Sequence, residues 1–280
     1  DLIRDITLSF AAGFNGARLH EKVFEPRFLY HCDRLGYLVW GEFPNWGLDH
    51  SHPLATEIVL NQWSEAVERD CNHPAIIGWC PFNETWGYHE EKEQNALLSS
   101  LYKLTKRLDP TRPCIDASGN FRVLSEVYDI HDYDQNTETF RQRWDSFTEK
   151  IRENGGSIPQ DDAFFQDLPW GEHGKGPFFQ QPYQGQPIFL SEYGGIRWVE
   201  NTVEGWGYGN APTTAEEFFA RYKGLTEALL QNPEIFGFCY TQLYDIEQEI
   251  NGLYTYDRKE KFPISIIREI NQQKAACEEE

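Results

Sequence analysis

Two glutamates stand in matching settings in this chain. Glu84 follows the apolar run of residues 75–87, AIIGWCPFNETWG, and Glu192 follows that of residues 187–195, PIFLSEYGG. Each run suits a fully buried strand and places its glutamate at the strand's C-terminal tip. In sheets wrapped by helices, catalytic groups collect at that end. A carboxyl group held there among aromatic rings is desolvated, so its proton becomes harder to remove. Glutamates also cap strands with no catalytic duty, so one such tip is a hint and two of one shape are a pattern.

The elements that must position this pair follow from periodicity. Residues 1–12 form a helix stopped by Gly13, and 14–20 a short strand ending in Arg18 and His20. Pro26 opens a helix that Gly36 closes, and strand 37–43 carries Glu42, Asn45 and Trp46 at its tip. Helix 53–71 precedes the Glu84 strand, and helix 90–108 follows it, ending before Asp109-Pro110. Strands 113–118 and 127–133 lead to helix 137–153. Residues 155–186, rich in Gly and Pro, show no period and read as a long functional or mobile loop. After the Glu192 strand come helix 213–231, opened by a capping box from Thr214 to Glu217, strand 235–240 and helix 262–277.

Seven strands thus alternate with helices or long connections, which argues for parallel strands with crossover helices. Strands with little polar alternation agree, because parallel sheets are covered on both faces. No glycine-rich phosphate-binding turn appears, which leaves a (β/α)8 TIM barrel ahead of a nucleotide-binding sheet. A barrel has eight strands, and this chain opens on a helix, so the first strand is expected to be missing and the 280 residues to be one barrel domain of a longer polypeptide.

Composition narrows the partners. With 45 acidic against 25 basic residues, a net charge of −20 argues against nucleic acid and anionic membranes. No apolar run approaches the length of a membrane span. Of nine tryptophans, Trp46, Trp86, Trp170 and Trp206 fall in loop-like segments, where flat rings stack on sugars. Six cysteines lie scattered without a CxxC pair and read as reduced thiols rather than a metal site or a disulfide framework, which favours a reducing compartment such as the cytoplasm.

The stretches GFNGARLH (13–20), FLYHCDRLGYLVWGEF (28–43), RDCNHPAIIGWCPFNE (69–84), PIFLSEYGG (187–195) and YTQLYDIEQEINGLYTYDR (240–258) resemble glycoside hydrolase family 2, the group of β-galactosidases, β-glucuronidases and β-mannosidases. The resemblance implies a catalytic barrel preceded by β-sandwich domains. It implies a retaining exo-β-glycosidase in which Glu84 is the acid/base and Glu192 the nucleophile. It further implies that Arg18 orients the nucleophile, that Asn83 binds the sugar 2-hydroxyl and that Tyr133 hydrogen-bonds the nucleophile. His20, His131, Trp46 and Tyr240 sit at other strand tips and are expected to line the pocket. The Asn83-Glu84-Thr85 sequon falls on the catalytic motif and reads as coincidence.

Two departures refine the expectation. Family β-glucuronidases grip the sugar carboxylate with Asn-x-Lys, whereas this chain has Asn251-Gly252-Leu253. The Glu-x-His magnesium ligands of some β-galactosidases are absent after Glu42, where the chain reads Phe43-Pro44-Asn45-Trp46. The expectation is therefore a β-galactosidase-like enzyme without a catalytic metal or cofactor, acting on a carbohydrate. A β-glucuronidase or β-mannosidase, or a non-catalytic carbohydrate-binding barrel, stands as the alternative.

Overall fold

The computed structural model describes residues 2–85, 91–119, 121–155, 181, 183–198 and 204–278. Its helices are α1 (Leu2–Ala11), α2 (Pro26–Leu35), α3 (Pro53–Asp70), α4 (Glu91–Leu108), α5 (Thr137–Glu153), α6 (Ala215–Leu230) and α7 (Ile264–Asn271). Its strands are β1 (Gly16–Arg18), β2 (Leu38–Glu42), β3 (Ile76–Cys80), β4 (Phe82–Asn83), β5 (Ala117–Ser118), β6 (Tyr128–Asp132), β7 (Ile188–Gly194) and β8 (Ile235–Thr241). Every pairing among these strands is parallel, in the ladders β1-β2-β3, β4-β5 and β6-β7-β8. The seven expected strand positions are all occupied. β3 and β4 share one of them, because Pro81 between them has no N–H to continue the ladder.

Local chemistry explains the element ends. Pro26 starts α2 with its backbone angle preset, and Gly36 ends it in the left-handed region (φ 70°), its N–H returning to Cys32. Thr214 caps α6 by accepting the Glu217 N–H at 3.1 Å. The reciprocal arm of this box lands one residue earlier than expected, the Glu217 carboxylate taking the N–H and hydroxyl of Thr213. The last helix is shorter than the periodicity suggests. Asn271 ends it, its amide donating to the Ala12 carbonyl and accepting from the Tyr222 hydroxyl. β5 is also clipped. Buried Asp116 collects the N–H groups of Ala117, Val123 and Leu124 and turns the chain out of the ladder.

Side chains alternate between an outer layer under the helices and the barrel interior. In the outer layer three buried indoles tie the elements together: Trp63 of α3 on Thr105 of α4 at 2.7 Å, Trp79 of β3 on Asp109 after α4 at 2.9 Å and Trp144 of α5 on Asp132 of β6 at 3.1 Å. Each satisfies its one polar atom while burying a large apolar surface. Inside, Trp40 stacks on Phe189 with ring centres 5.6 Å apart and Cys80, Ile115 and Val127 around them. Trp40 also crosses directly over Gly78, where a Cβ would lie 2.1 Å from its ring.

The segment between β8 and α7 packs on α1: Tyr254 donates to the Leu8 carbonyl, and Arg258 pairs with Asp5 at 3.1 Å. β1 and β8 each end a sheet, and no ladder joins them among the described residues. The expected loop of residues 155–186 falls, except at its ends, outside the described residues, as do Trp86 and Trp170.

Candidate active site

The C-terminal tips of β1, β2, β4, β6 and β7 converge on one acidic cleft. Arg18, from β1, is the cation at its base. Its guanidinium donates to Glu42 Oε1 at 2.7 Å, Glu192 Oε1 at 2.9 Å, the Ser191 carbonyl at 3.1 Å and Asn83 Oδ1 at 3.0 Å. Only 4% of its side chain is exposed, so these charge-assisted bonds act with little solvent screening.

Glu192 is the most heavily supported carboxylate. Burial pushes its pKa up, but His131, Arg18, His20 and the Tyr133 hydroxyl outweigh burial and bring it down to about 2. The Tyr133 hydroxyl donates to Glu192 Oε2 and also meets Thr241 Oγ1 at 3.0 Å. Tyr133 is itself stacked on Tyr208.

Glu84 is held differently. Asn45 clamps the peptide before it, donating to the Asn83 carbonyl at 2.8 Å and accepting the Asn83 N–H at 2.6 Å. The Glu84 N–H then reaches the Ser118 carbonyl at 2.8 Å. Its φ of 47° lies in the left-handed region, unusual for a residue with a side chain. That turn directs Glu84 Oε1 to His131 Nδ1 at 2.7 Å, while Glu192 Oε2 lies 3.4 Å from the same nitrogen. Ligand atoms of Glu84, His131 and Glu192 all fall within 4.8 Å of one another. Such a trio has donors enough to hold a cation. Its hydrogen bond and ion pairs already account for that closeness.

Arg18, Asn83, His131 and Tyr133 are thus brought together with Glu84 and Glu192. Asn83 has a further property: with Oδ1 bound to Arg18, its buried Nδ2 has no hydrogen-bond partner. A buried donor left unmade costs about 1–3 kcal/mol, which an incoming acceptor recovers. His20 is exposed at the rim, its Nδ1 3.7 Å from Glu42 and 3.8 Å from Glu192. Burial lowers its pKa and the two carboxylates raise it, the latter winning. Trp46, 62% exposed, meets the His20 ring edge-on at 5.7 Å. Tyr240 does not join the cluster. Its ring packs on Tyr193 and Tyr222 in the helical layer, and its hydroxyl accepts the Ile196 N–H.

Several functional groups were not singled out as candidates from the sequence. Glu42, 3% exposed, anchors Arg18 and accepts the Glu21 N–H at 3.1 Å. Glu21 takes the N–H groups of Asn45 and Trp46 at 2.8 and 3.0 Å, fixing the loop after β2. Ser118 and Asp129 stand behind His131. Glu249 lies within electrostatic reach of Glu192 and His20, and burial first, then Glu192, raises its pKa. Strand-tip position was the available signal for Glu42; nothing local marked the others.

Known proteins agree with this architecture. Residues 1–196 match the family described as glycosyl hydrolases family 2, TIM barrel domain. A β-glucuronidase of Chlorocebus aethiops is 31% identical over 115 residues, 40% of this chain and 17% of that protein. A β-galactosidase of Thermoanaerobacterium thermosulfurigenes is 30% identical over 110 residues, 38% of this chain and 14% of its own length. Among solved structures, the GH2 β-galacturonidase from Eisenbergiella tayi bound to galacturonate superposes with a TM-score of 0.73 at 19% identity, over 97% of this chain and 47% of that one. A β-glucuronidase from an uncultured Clostridium sp. gives 0.69 at 17% identity, over 96% and 46%. The chain therefore spans less than half of these larger proteins, and the shared fold is the TIM barrel. By its matched sequence and its barrel, the chain belongs to glycosyl hydrolases family 2.

Proposed function

We propose that this barrel carries the active site of a retaining exo-β-glycosidase of the β-galactosidase type. The observation that carries the reading is the approach of the Glu84 and Glu192 oxygens to within 4.8 Å. Retaining enzymes hold their carboxyl groups about 5–5.5 Å apart, whereas inverting ones leave about 6.5–9.5 Å for a water. Glu192, ionised, attacks the anomeric carbon as the bond to the leaving oxygen breaks, and the proton of the Glu84 site passes to that oxygen. Water then gives a proton back to Glu84 and displaces Glu192 from the glycosyl-enzyme. Asn83 Nδ2 is the donor for a sugar hydroxyl, and Arg18 and Tyr133 hold Glu192 in place.

Glu249 supports a neutral sugar over a uronide. The Asn251 amide, which stands where a uronide-binding motif would begin, donates to Glu249 Oε1 at 2.9 Å and accepts from Gln242 at 2.9 Å. The group that the Asn251 amide meets is thus a carboxyl group, which favours a neutral sugar. The names of the similar β-glucuronidases and of the β-galacturonidase support the uronide alternative. The open ladder between β1 and β8 supports placing one further strand there, within a larger protein in which this barrel is one domain.

A panel of 4-nitrophenyl β-galactoside, glucoside, mannoside, glucuronide and galacturonide, followed by NMR for product configuration, tests the proposal. The expected result is fastest cleavage of the galactoside with retention. Preference for a uronide overturns the sugar assignment, inversion overturns the mechanism, and no turnover at all favours a carbohydrate-binding barrel.

A further inference from the structure

Behind the candidate acid/base lies a hydrogen-bonded chain that terminates in a buried aspartate. Ser118 Oγ is 2.7 Å from Asp129 Oδ2 and 2.9 Å from His131 Nε2. Asp129 is fully buried, and its other oxygen accepts the Gly119 N–H at 2.9 Å and faces the Arg122 guanidinium at 3.5 Å. A carboxylate so held accepts and does not donate. The one Ser118 proton therefore goes to Asp129, and Ser118 Oγ presents lone pairs to its remaining neighbours. Ser191 Oγ, 3.1 Å away, is one of them, and His131 Nε2 is the other. Nε2 must then carry a hydrogen and donate it.

That assignment fixes the other end of the ring. His131 Nδ1 and Glu84 Oε1, 2.7 Å apart, need a proton between them. With Nε2 already protonated, the proton on Nδ1 makes an imidazolium facing a carboxylate. The same proton on Glu84 makes a neutral pair. We propose that Glu84 and His131 act as a single acid/base unit holding one transferable proton, with Asp129 and Ser118 as the positioning groups that keep Nε2 from accepting it. This rests on the assignment of Glu84 as the acid/base.

The surrounding charges suit the task. His131 is faced by Glu84 beyond β4, Glu192 on β7 and Arg18 on β1; burial and Arg18 disfavour its cation, and the two glutamates favour it. His20, Glu42, Tyr133, Tyr208, Cys239 and Glu249 are further charged and titratable groups around Glu192 and Glu84. In glycosylation, the carbon–oxygen bond breaks, the Glu192–carbon bond forms and the pair's proton moves to the leaving oxygen. The pair is left as Glu84 carboxylate and neutral His131. Glu192, now an ester, no longer attracts a proton to His131, so the pair has become a base when water must be deprotonated. Water's proton restores it.

A readout that needs no turnover is ¹⁵N NMR of the histidine rings between pH 5 and 9 in the whole protein. The expected result is a permanently protonated Nε2 and an Nδ1 that titrates above the ordinary histidine value of about 6.5, with a midpoint at least about one unit lower in Glu84→Gln. A neutral Nδ1–H tautomer, or a midpoint indifferent to Glu84→Gln, overturns the proposal. In kinetics, His131→Gln should lose about 10–100-fold on alkyl glycosides, little on 2,4-dinitrophenyl glycosides, and move the alkaline limb of kcat/KM to lower pH. Equal losses on both substrates with an unmoved limb mark His131 as merely structural. A wild-type protein that cleaves no β-glycoside overturns the enzyme assignment, while the NMR titration still judges the pair.

Discussion

Replacing Arg18 by methionine removes the cation on which the cleft is assembled while keeping most of its apolar stem. Two buried carboxylates, Glu42 and Glu192, lose charge-assisted bonds of 2.7 and 2.9 Å. His20, 43% exposed and 3.7–3.8 Å from each, is too solvated to substitute. Removing one partner of a buried pair costs about 3–5 kcal/mol. The pH dependence follows from the same groups. Burial pushes the pKa of Glu42 up and Arg18 with His20 bring it down further, and Glu192 behaves likewise. Folded values below the unfolded ones stabilise the protein above the ordinary carboxylate value of about 4.3, and the benefit fades as pH falls through the folded values. Without Arg18 both pKa values rise, Glu42 losing its largest opposing charge while Glu192 keeps His131, His20 and the Tyr133 hydroxyl. The loss is therefore greatest at neutral pH and shrinks as the carboxylates take up protons. Urea unfolding of wild type and Arg18→Met at pH 7.5 and 4.5 measures this directly. Adding Glu42→Gln to Arg18→Met should recover at least about 1 kcal/mol at pH 7.5, because it removes a buried unpaired charge. A loss below about 1 kcal/mol at pH 7.5, or one of equal size at both pH values, would refute the reasoning.

Two further outcomes are expected. Tyr133→Phe deletes the hydroxyl that donates to Glu192; a donor to the ionised form lowers a pKa, so its loss should raise the acid limb of kcat/KM and reduce turnover about 10–100-fold, read from pH–rate profiles. Gly78→Ala places a Cβ 2.1 Å from the Trp40 ring and should break the Trp40–Phe189 stack. The cost in thermal unfolding is about 1–3 kcal/mol, largely recovered by Trp40→Leu in the same chain.

The strand and helix order was legible because its punctuation is local. Pro26, Gly36 and Thr214 act on their own neighbours, and the apolar runs before Glu84 and Glu192 need no long-range partner to be recognised. The break between β3 and β4 was not read from the sequence, although Pro81 is a local signal for it. Roles in the cleft were less legible where they depend on distant segments. Ser118 meets Asp129 and the His131 ring only because β5 and β6 lie side by side. Glu249 sits far along the chain, in a stretch that carried the family resemblance but offered no strand-tip signal for this residue. Tyr240 shows the opposite error of position. A strand-tip aromatic was expected to line the pocket, yet the alternation of β8 turns it outward and gives the inward place to Thr241, which meets Tyr133.

Glu84 reaches its place through a backbone angle that glycine adopts freely and glutamate does not. The fold therefore carries a standing load of about 1–2 kcal/mol at the very residue proposed to move the proton. Among random substitutions at this position, the one that most relaxes the backbone angle would also remove the carboxyl group on which the proposed chemistry depends. A population selected for thermal persistence alone would drift toward glycine here and keep an intact, silent barrel. On the proposed role, holding glutamate at position 84 would reflect selection for turnover. A sturdier relative that has exchanged this glutamate for glycine would be the natural fossil of a lineage released from that demand.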